Sequence, residues 1–319
     1  SNEYAAIEPP VWSSLIANYL IKRNYSVKIL DAEAENLTHE ETAEKILKLN
    51  PKLAVFMIYG QQPSASTQCM PGGNKTCNKL NELSSNEIKS VVIGTHASAL
   101  PKQTLEEEPY TYVCQGEGPL TIKNLIDFLD GKISDIKKIP GLWYFDKDKN
   151  LSFNPQAKMF EKLDEDLPGQ AWKFLDMNKY KAHNWHTFGR LKSRNSYASL
   201  QTSLGCPFKC TFCCINAPFE RNTIRFWSPQ HIAKQVRVLV EEYNILNIKI
   251  PDEMFVLNPK QVIGVCDEII KLGYGDKLNF WAYARIDTLE DDEMLRKMQK
   301  AGIKWLGLGI ESSSKHVRD

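Results

Sequence analysis

Two α/β domains in series are expected: a doubly wound, Rossmann-like domain over residues 1–130 and a partial (βα)6 barrel over residues 196–319, joined by a linker at 131–195. Three observations predict them. Short apolar runs alternate with amphipathic stretches in both halves, the pattern of parallel sheets. Loops rich in Gly, Ser, Thr or Gln follow the strands of the first half, where open α/β sheets bind ligands. Three cysteines, Cys206, Cys210 and Cys213, follow the first strand of the second half, on the rim where barrel sites are built.

Residues 9–23 begin with Pro9 and Pro10, which suit a first helical turn, and set Trp12, Leu15, Ile16, Tyr19 and Leu20 on one face of a helix. Residues 26–31 read as a short buried strand. A helix over 38–49 is capped by Thr38 with Glu41 three residues on, and 53–59 is an almost wholly apolar strand. A helix near 78–83, a strand over 90–94, a short strand at Tyr112 and Val113 and a helix over 120–129 follow. The loops expected to face a ligand are 60–73, 94–101 and 115–119. Cys69 and Cys77 flank a Pro-Gly-Gly turn, either as a redox pair or as plain loop thiols.

In the linker, 141–146 and 150–153 predict a hairpin with Asp146-Lys147-Asp148-Lys149 as its solvated turn. Further on, Tyr180, His183, Trp185 and His186 cluster, either as interdomain packing or with His183 or His186 as a polar or acid–base contact to substrate. In the second half, 197–203 alternates and runs into Gly205 and Cys206. A helix over 228–243 leads to a strand at 246–250 that ends in Pro251-Asp252-Glu253. Asn258 caps the next helix and Pro259 opens it. A strand at 278–284 ends at Arg285, a helix at 291–301 stops at Gly302, and a strand at 305–309 ends at Gly309 before Glu311.

Of the 319 residues, 42% are hydrophobic, enough for real cores, and the formal charge of +1 gives no overall electrostatic footprint for nucleic acid. No apolar run approaches the roughly 20 residues of a membrane span, and no basic-then-apolar leader opens the chain. Its 8 cysteines are too scattered for a secreted disulfide framework. A cytoplasmic location is expected.

Three thiolates can hold three irons of a 4Fe-4S cube and leave the fourth with an open position for a substrate or cosubstrate. Structural zinc would need four ligands around a tetrahedron. Cys214 is the candidate fourth, although neighbouring side chains in an extended loop diverge, and the nearest downstream histidine is His231. The C-x3-C-x2-C spacing, with Phe212 before the last cysteine, resembles the signature of the radical S-adenosylmethionine (SAM) superfamily. Residues 1–130 resemble the cobalamin-binding domains of cobalamin-dependent radical SAM enzymes. The likeness lies in Pro9-Pro10, Leu30-Asp31-Ala32-Glu33, Ile93-Gly94-Thr95-His96 and Gly116-Glu117-Gly118, in this order ahead of the cysteine loop.

The resemblance implies three cofactors: a 4Fe-4S cluster on Cys206, Cys210 and Cys213, SAM and cobalamin. Arg285, Glu253, Gly309, Glu311 and Phe212 match positions that hold SAM, and Tyr59, Gly60, Gln61, Ser64, Ser66, Gly94, Thr95, His96, Gly116, Glu117 and Gly118 match the corrin side. The cobalt-ligating DxHxxG motif is absent, which leaves the lower cobalt ligand open, and the family position of His96, after the strand-end Gly94, places it beside the corrin or its tail rather than on the metal. The implied activity is methylation of an unactivated carbon or phosphorus of a small molecule, with a flavodoxin or ferredoxin as electron donor. Cyclisation or rearrangement without methyl transfer, and a non-catalytic iron–sulfur or zinc module, are the alternatives. By the same likeness, the first strand of the cobalamin domain and the last two strands of a six-stranded barrel are expected outside the sequence.

Overall fold

The structure, a computed structural model, describes residues 5–59, 65–183, 192, 194 and 197–318. It divides into two units, one of Leu15–Glu161 with Pro207–Thr223, the other of Ser1–Ser14, Lys162–Cys206 and Ile224–Asp319. Among the described residues no helix is long and apolar enough to cross a membrane.

The unit of Leu15–Glu161 is built on a sheet of order β1-β2-β3-β4-β5. Its parallel part is β1 (Leu53–Met57), β2 (Lys89–Ile93) and β3 (Tyr112–Cys114), in register Val55 with Val91 and Val92 with Val113. α1 (Val11–Ile21) and α2 (His39–Leu49) precede β1, and Thr38 opens α2 with a reciprocal capping box to Glu41, as its sequence predicts. α3 (Ala65–Leu83) lies between β1 and β2, α4 (Thr95–Ala99) and α5 (Pro101–Glu107) between β2 and β3, and α6 (Pro119–Leu129) after β3. One face of the sheet packs Val92 and Val113 against Met70 and Cys77 of α3 and Leu105 of α5. Ile93 points to the other face, toward Ile16 of α1 and the start of α6 at Gly118. Helices on both faces follow from strands apolar on both sides.

Several expectations are corrected here. Residues 26–31 form no strand and are not buried as a strand would require on both faces of this sheet, Ser26 and Lys28 being exposed. The predicted loop 60–73 is helical from Ala65 onward, so Cys69 and Cys77 share α3 and flank no turn; Cys77 is buried and Cys69 exposed. Pro71 and Gly73, turn-like in composition, lie inside this helix. Gly73 is small for a packing reason, since a Cβ there would lie 2.4 Å from Ile58 Cδ1 and 2.8 Å from Tyr110 Oη. The loop 94–101 is α4 and the start of α5. The hairpin, β4 (Leu142–Phe145) and β5 (Leu151–Phe153), joins the sheet rather than floating in a linker, with β4 antiparallel to β3.

In the other unit, α7 (Leu163–Asp166) precedes a parallel sheet of order β11-β10-β9-β6. Its strands are β6 (Tyr197–Ser199), β9 (Asn247–Ile250), β10 (Asn279–Arg285) and β11 (Ile303–Gly309), the four barrel strands read from sequence. The expected first strand breaks after Ser199, and its last part becomes β7 (Ser203–Leu204), which pairs antiparallel with β8 (Arg225–Phe226). α8 (Pro229–Tyr243), α9 (Pro259–Lys271) and α10 (Asp292–Ala301) are capped by Ser228, Asn258 and Asp291 side chains. Ser199, Lys249 and Trp281 stand side by side across β6, β9 and β10. Lys249 is 3% exposed; its Nζ donates to both Glu8 carboxylate oxygens at 3.0 Å and lies 5.1 Å from the Trp281 ring centre. A buried ion of either sign is tolerated only when paired in this way.

Candidate functional site

The carboxyl ends of β1, β2 and β3 meet in a connected set of small and polar groups. Ser66 Oγ, in the first turn of α3, donates to the Ile58 carbonyl and accepts from His96 N–H at 3.0 Å. Thr67 Oγ1 is 3.0 Å from His96 Nδ1, and Ser98 Oγ accepts from Gly116 N–H at 3.1 Å. Gly94 admits this closeness: a Cβ there would stand 1.9 Å from the Ile58 carbonyl oxygen. Gly118 (φ 99°) does the same over Ile93 Cδ1, also at 1.9 Å. Thr95 and Glu117 are buried, and Glu117 Oε2 accepts from Phe160 N–H at 3.2 Å. Burial, with Cys114 and Glu117 nearby, pushes the Tyr59 hydroxyl well above its ordinary range. The structure therefore gathers Tyr59, Ser66, Gly94, Thr95, His96, Gly116, Glu117 and Gly118 along one sheet edge. Gly60, Gln61 and Ser64 lie outside the described residues.

The cysteine loop leaves the barrel strand through β7 and returns through β8. Cys206 follows Gly205 (φ 86°) and is buried, whereas Cys210, Cys213 and Cys214 are exposed, and Cys213 N–H donates to the Cys210 carbonyl at 3.1 Å. Phe212 is 72% exposed. None of the eight cysteines is in a disulfide. Among the described residues no three Cys, His, Asp or Glu side chains are gathered around one metal position. The fit to a cluster rests on the donor set, three thiols in one short loop of which two face solvent, and not on a preformed cage. That set suits a three-thiolate 4Fe-4S site better than a closed tetrahedral one.

Beyond β9 the chain places two acids side by side. Asp252 is fully buried and accepts from Thr202 N–H (2.8 Å), Thr202 Oγ1 (2.5 Å) and Ser203 Oγ (2.6 Å). Burial pushes it up to about 6, and these hydrogen bonds hold the rise in check. Glu253 Oε2 is sealed from solvent with no hydrogen-bond partner among the described residues. Burial, reinforced by Asp252, pushes Glu253 up to about 8. Arg285 is clamped by Asp287 through Nε (2.9 Å) and Nη2 (2.7 Å), Gly309 ends β11, and Glu311 is exposed with φ 62°. His183 is part-buried, and burial with Arg194 nearby lowers it; His186 lies outside the described residues.

Because Glu253 is raised in the folded state, it holds a proton that the unfolded chain releases above about 4.5. Its folded state is favoured at low pH, and that advantage is lost at about 1.4 kcal/mol per pH unit up to about 8. Glu253→Gln is expected to match the wild type in thermal unfolding near pH 4.5 and to exceed it increasingly up to pH 8. Parallel melting curves for the two proteins across this range would contradict the assignment.

Residues 2–126 match the B12 binding domain family and residues 200–319 match the Radical SAM superfamily. The chain thus carries a B12-binding domain followed by a radical SAM domain. It is 28% identical over 310 residues to the uncharacterized methyltransferase PH0819 of Pyrococcus horikoshii, covering 97% of this chain and 62% of that protein. It is 26% identical over 325 residues to the anaerobic magnesium-protoporphyrin IX monomethyl ester cyclase of Cereibacter sphaeroides, covering 98% and 48%. Its fold resembles that of the cobalamin-dependent S-adenosylmethionine radical enzyme OxsB with aqua-cobalamin and S-adenosylmethionine bound, at TM-score 0.73 and 19% identity over 98% of this chain and 42% of that one. The chain thus spans only part of the length of these relatives.

Sequence reading missed Asp252 with Thr202 and Ser203, and the pairing of Lys249 with Glu8. A lone charge inside the apolar pattern of β9 was the available signal for Lys249, since such a residue needs a counter-charge. Nothing in sequence pairs Thr202 with Asp252, which are 50 residues apart.

Proposed function

We propose that this chain forms the cofactor-bearing part of a methyltransferase that acts on an unactivated carbon or phosphorus of a small molecule. The observation that supports the reading is the three-cysteine loop that follows β7, in a chain whose β9 is followed by the buried carboxyl of Glu253. When bound, the cluster supplies an electron to SAM and cobalamin supplies a transferable methyl group. Cys206, Cys210 and Cys213 would hold the cluster and leave one iron open. Glu253 would accept the SAM amino group, giving up its proton as a cation arrives beside its Oε2. Gly309, Glu311 and Arg285 would contact the rest of SAM, Arg285 after release from Asp287, and Phe212 would stack on the adenine. Ser66, Thr95, His96, Gly116 and Glu117 would border the corrin, with His96 beside it because Thr67 already engages its Nδ1. His183 remains a candidate polar contact to substrate. An external flavodoxin or ferredoxin would deliver the electron, and an oxygen-sensitive cluster suits a reducing, cytoplasmic setting.

The likeness to a cyclase supports a second reading, ring formation without methyl transfer, on the same cofactors. Product mass decides between them. With reconstituted full-length protein, reductant and SAM, the methyltransferase reading expects a gain of one methylene in the product and two kinds of SAM-derived fragment, S-adenosylhomocysteine and 5'-deoxyadenosine. A product that loses hydrogen and gains no carbon establishes the cyclase reading instead.

A further inference from the structure

The cysteine loop hangs from a short neck. Ser203 pairs with Phe226 and Leu204 with Arg225, so β7 carries the chain into the loop and β8 carries it back. The neck is tied to the barrel unit at several points. Trp227 N–H donates to the Thr202 carbonyl at 3.1 Å, Trp227 Nε1 donates to the Leu167 carbonyl at 2.7 Å, and Gln261 Nε2 donates to the Trp227 carbonyl at 2.9 Å. The charged tie is Asp252, whose two oxygens take the Thr202 N–H, the Thr202 hydroxyl and the Ser203 hydroxyl. Its carboxylate is wholly buried, and hydrogen bonds to a charged acceptor in such a place are stronger than neutral ones.

The position of this tie is informative. Ser203 stands three residues before Cys206, with only Leu204 and Gly205 between them, and Gly205 adopts φ 86°, a conformation that other residues resist. Few rotatable bonds separate the clamped hydroxyl from the first thiol. On its other side Asp252 is bonded to Glu253, whose Oε2 is sealed from solvent with no hydrogen-bond partner among the described residues. One carboxylate therefore fixes the root of the cysteine loop and, through its own backbone, the neighbouring acid of the rim.

We propose that Asp252 is a positioning residue that sets where Cys206 presents its thiolate, an inference that rests on reading Cys206, Cys210 and Cys213 as cluster ligands. It touches neither iron nor SAM. Its effect passes through Thr202 and Ser203 into the neck, and through the peptide bond into Glu253, so it keeps the metal-binding and SAM-binding ends of the rim in register. Fixing a ligand through the hydrogen bonds behind it is a general means of tuning metal affinity.

The test uses the reconstituted chain and three variants. Asp252→Ala removes all three acceptor contacts. Asp252→Asn keeps an oxygen for Thr202 N–H and offers an amide to hydroxyls that can rotate to accept, so it preserves the neck. Ser203→Ala removes one contact. Iron release to a ferrous chelator is followed together with the electron paramagnetic resonance spectrum of the reduced cluster with and without SAM. Asp252→Ala is expected to release iron about tenfold faster and to lose the spectral change that SAM causes, with Asp252→Asn within about twofold of wild type. A folded Asp252→Ala with wild-type release and spectra overturns the proposal, as does an Asp252→Asn that behaves like the alanine variant. If Asp252→Ala does not fold, Ser203→Ala decides: a release rate raised a few-fold supports the proposal and an unchanged one overturns it. A wild-type chain that takes up no iron and sulfide sinks the cluster reading itself and this inference with it.

Discussion

Cys206→Ala, Cys210→Ala and Cys213→Ala are each expected to abolish reductive cleavage of SAM, with cluster iron and sulfide lost or reduced to a three-iron form. Cys214→Ala and Cys266→Ala are expected to keep both. The argument is one of coordination number. A cube held by three thiolates and one open iron has no spare protein ligand, so the loss of any one removes a corner rather than weakening it. Cys214 is adjacent to Cys213 and exposed, but consecutive side chains point apart, and Cys266 is buried in α9 with its thiol pushed up to about 12 by burial. Iron and sulfide analysis with quantified 5'-deoxyadenosine checks the set. Equal cluster loss in Cys214→Ala would overturn the choice of Cys206, Cys210 and Cys213 as the three ligands.

The second large effect is expected at Gly94. A methyl group at this position meets the Ile58 carbonyl oxygen at 1.9 Å and Ser66 Oγ at 3.2 Å, and the first of these is backbone that cannot rotate away. Gly94→Ala must push β1 from β2 where Ile58 N–H bonds the Ile93 carbonyl at 2.8 Å. A cost of about 3 kcal/mol or more is expected, at the upper end of overpacking effects. Cobalamin uptake, read by visible absorbance, should fall with it. Ala99→Gly, at the exposed end of α4, serves as a control that leaves the Ile58 approach untouched. Wild-type unfolding and cobalamin binding in Gly94→Ala would show that the edge is not as tight as its geometry demands.

The features legible in the sequence were those written in short range. The capping box of Thr38 and Glu41, the Asn258-Pro259 helix start and the stop at Gly302 are local chemistry, and each appears where its residues stand. The four barrel strands were legible because apolar runs punctuated by caps leave few alternatives. Local signals misled at Pro71-Gly72-Gly73, where tertiary packing overrides a turn-like composition: Gly73 serves the approach of α3 to Ile58 and Tyr110. The hairpin was legible as a hairpin, but its addition to the sheet through Val113 and Trp143 is a long-range pairing with no signature in sequence. At the candidate site, the residue types were visible in order along the chain. The bonds among them, Ser66 to His96, Ser98 to Gly116 and Asp252 to Thr202, join loops far apart in sequence and became visible only when the chain was folded.

The pairing of Lys249 with Glu8 bears on how the molecule can be taken apart. Glu8 belongs to the opening stretch of the chain, yet its carboxylate neutralises a lysine more than two hundred residues later, and Arg194 binds the carbonyl of Ala5 at 2.7 Å in the same neighbourhood. A fragment cut to hold only the barrel half would keep the lysine and discard its counter-ion, leaving a cation stranded in an apolar interior. Dissection by contiguous fragments therefore separates what folding has joined. Only an excision that carries the first residues along with the last ones would preserve the electrical neutrality of that core.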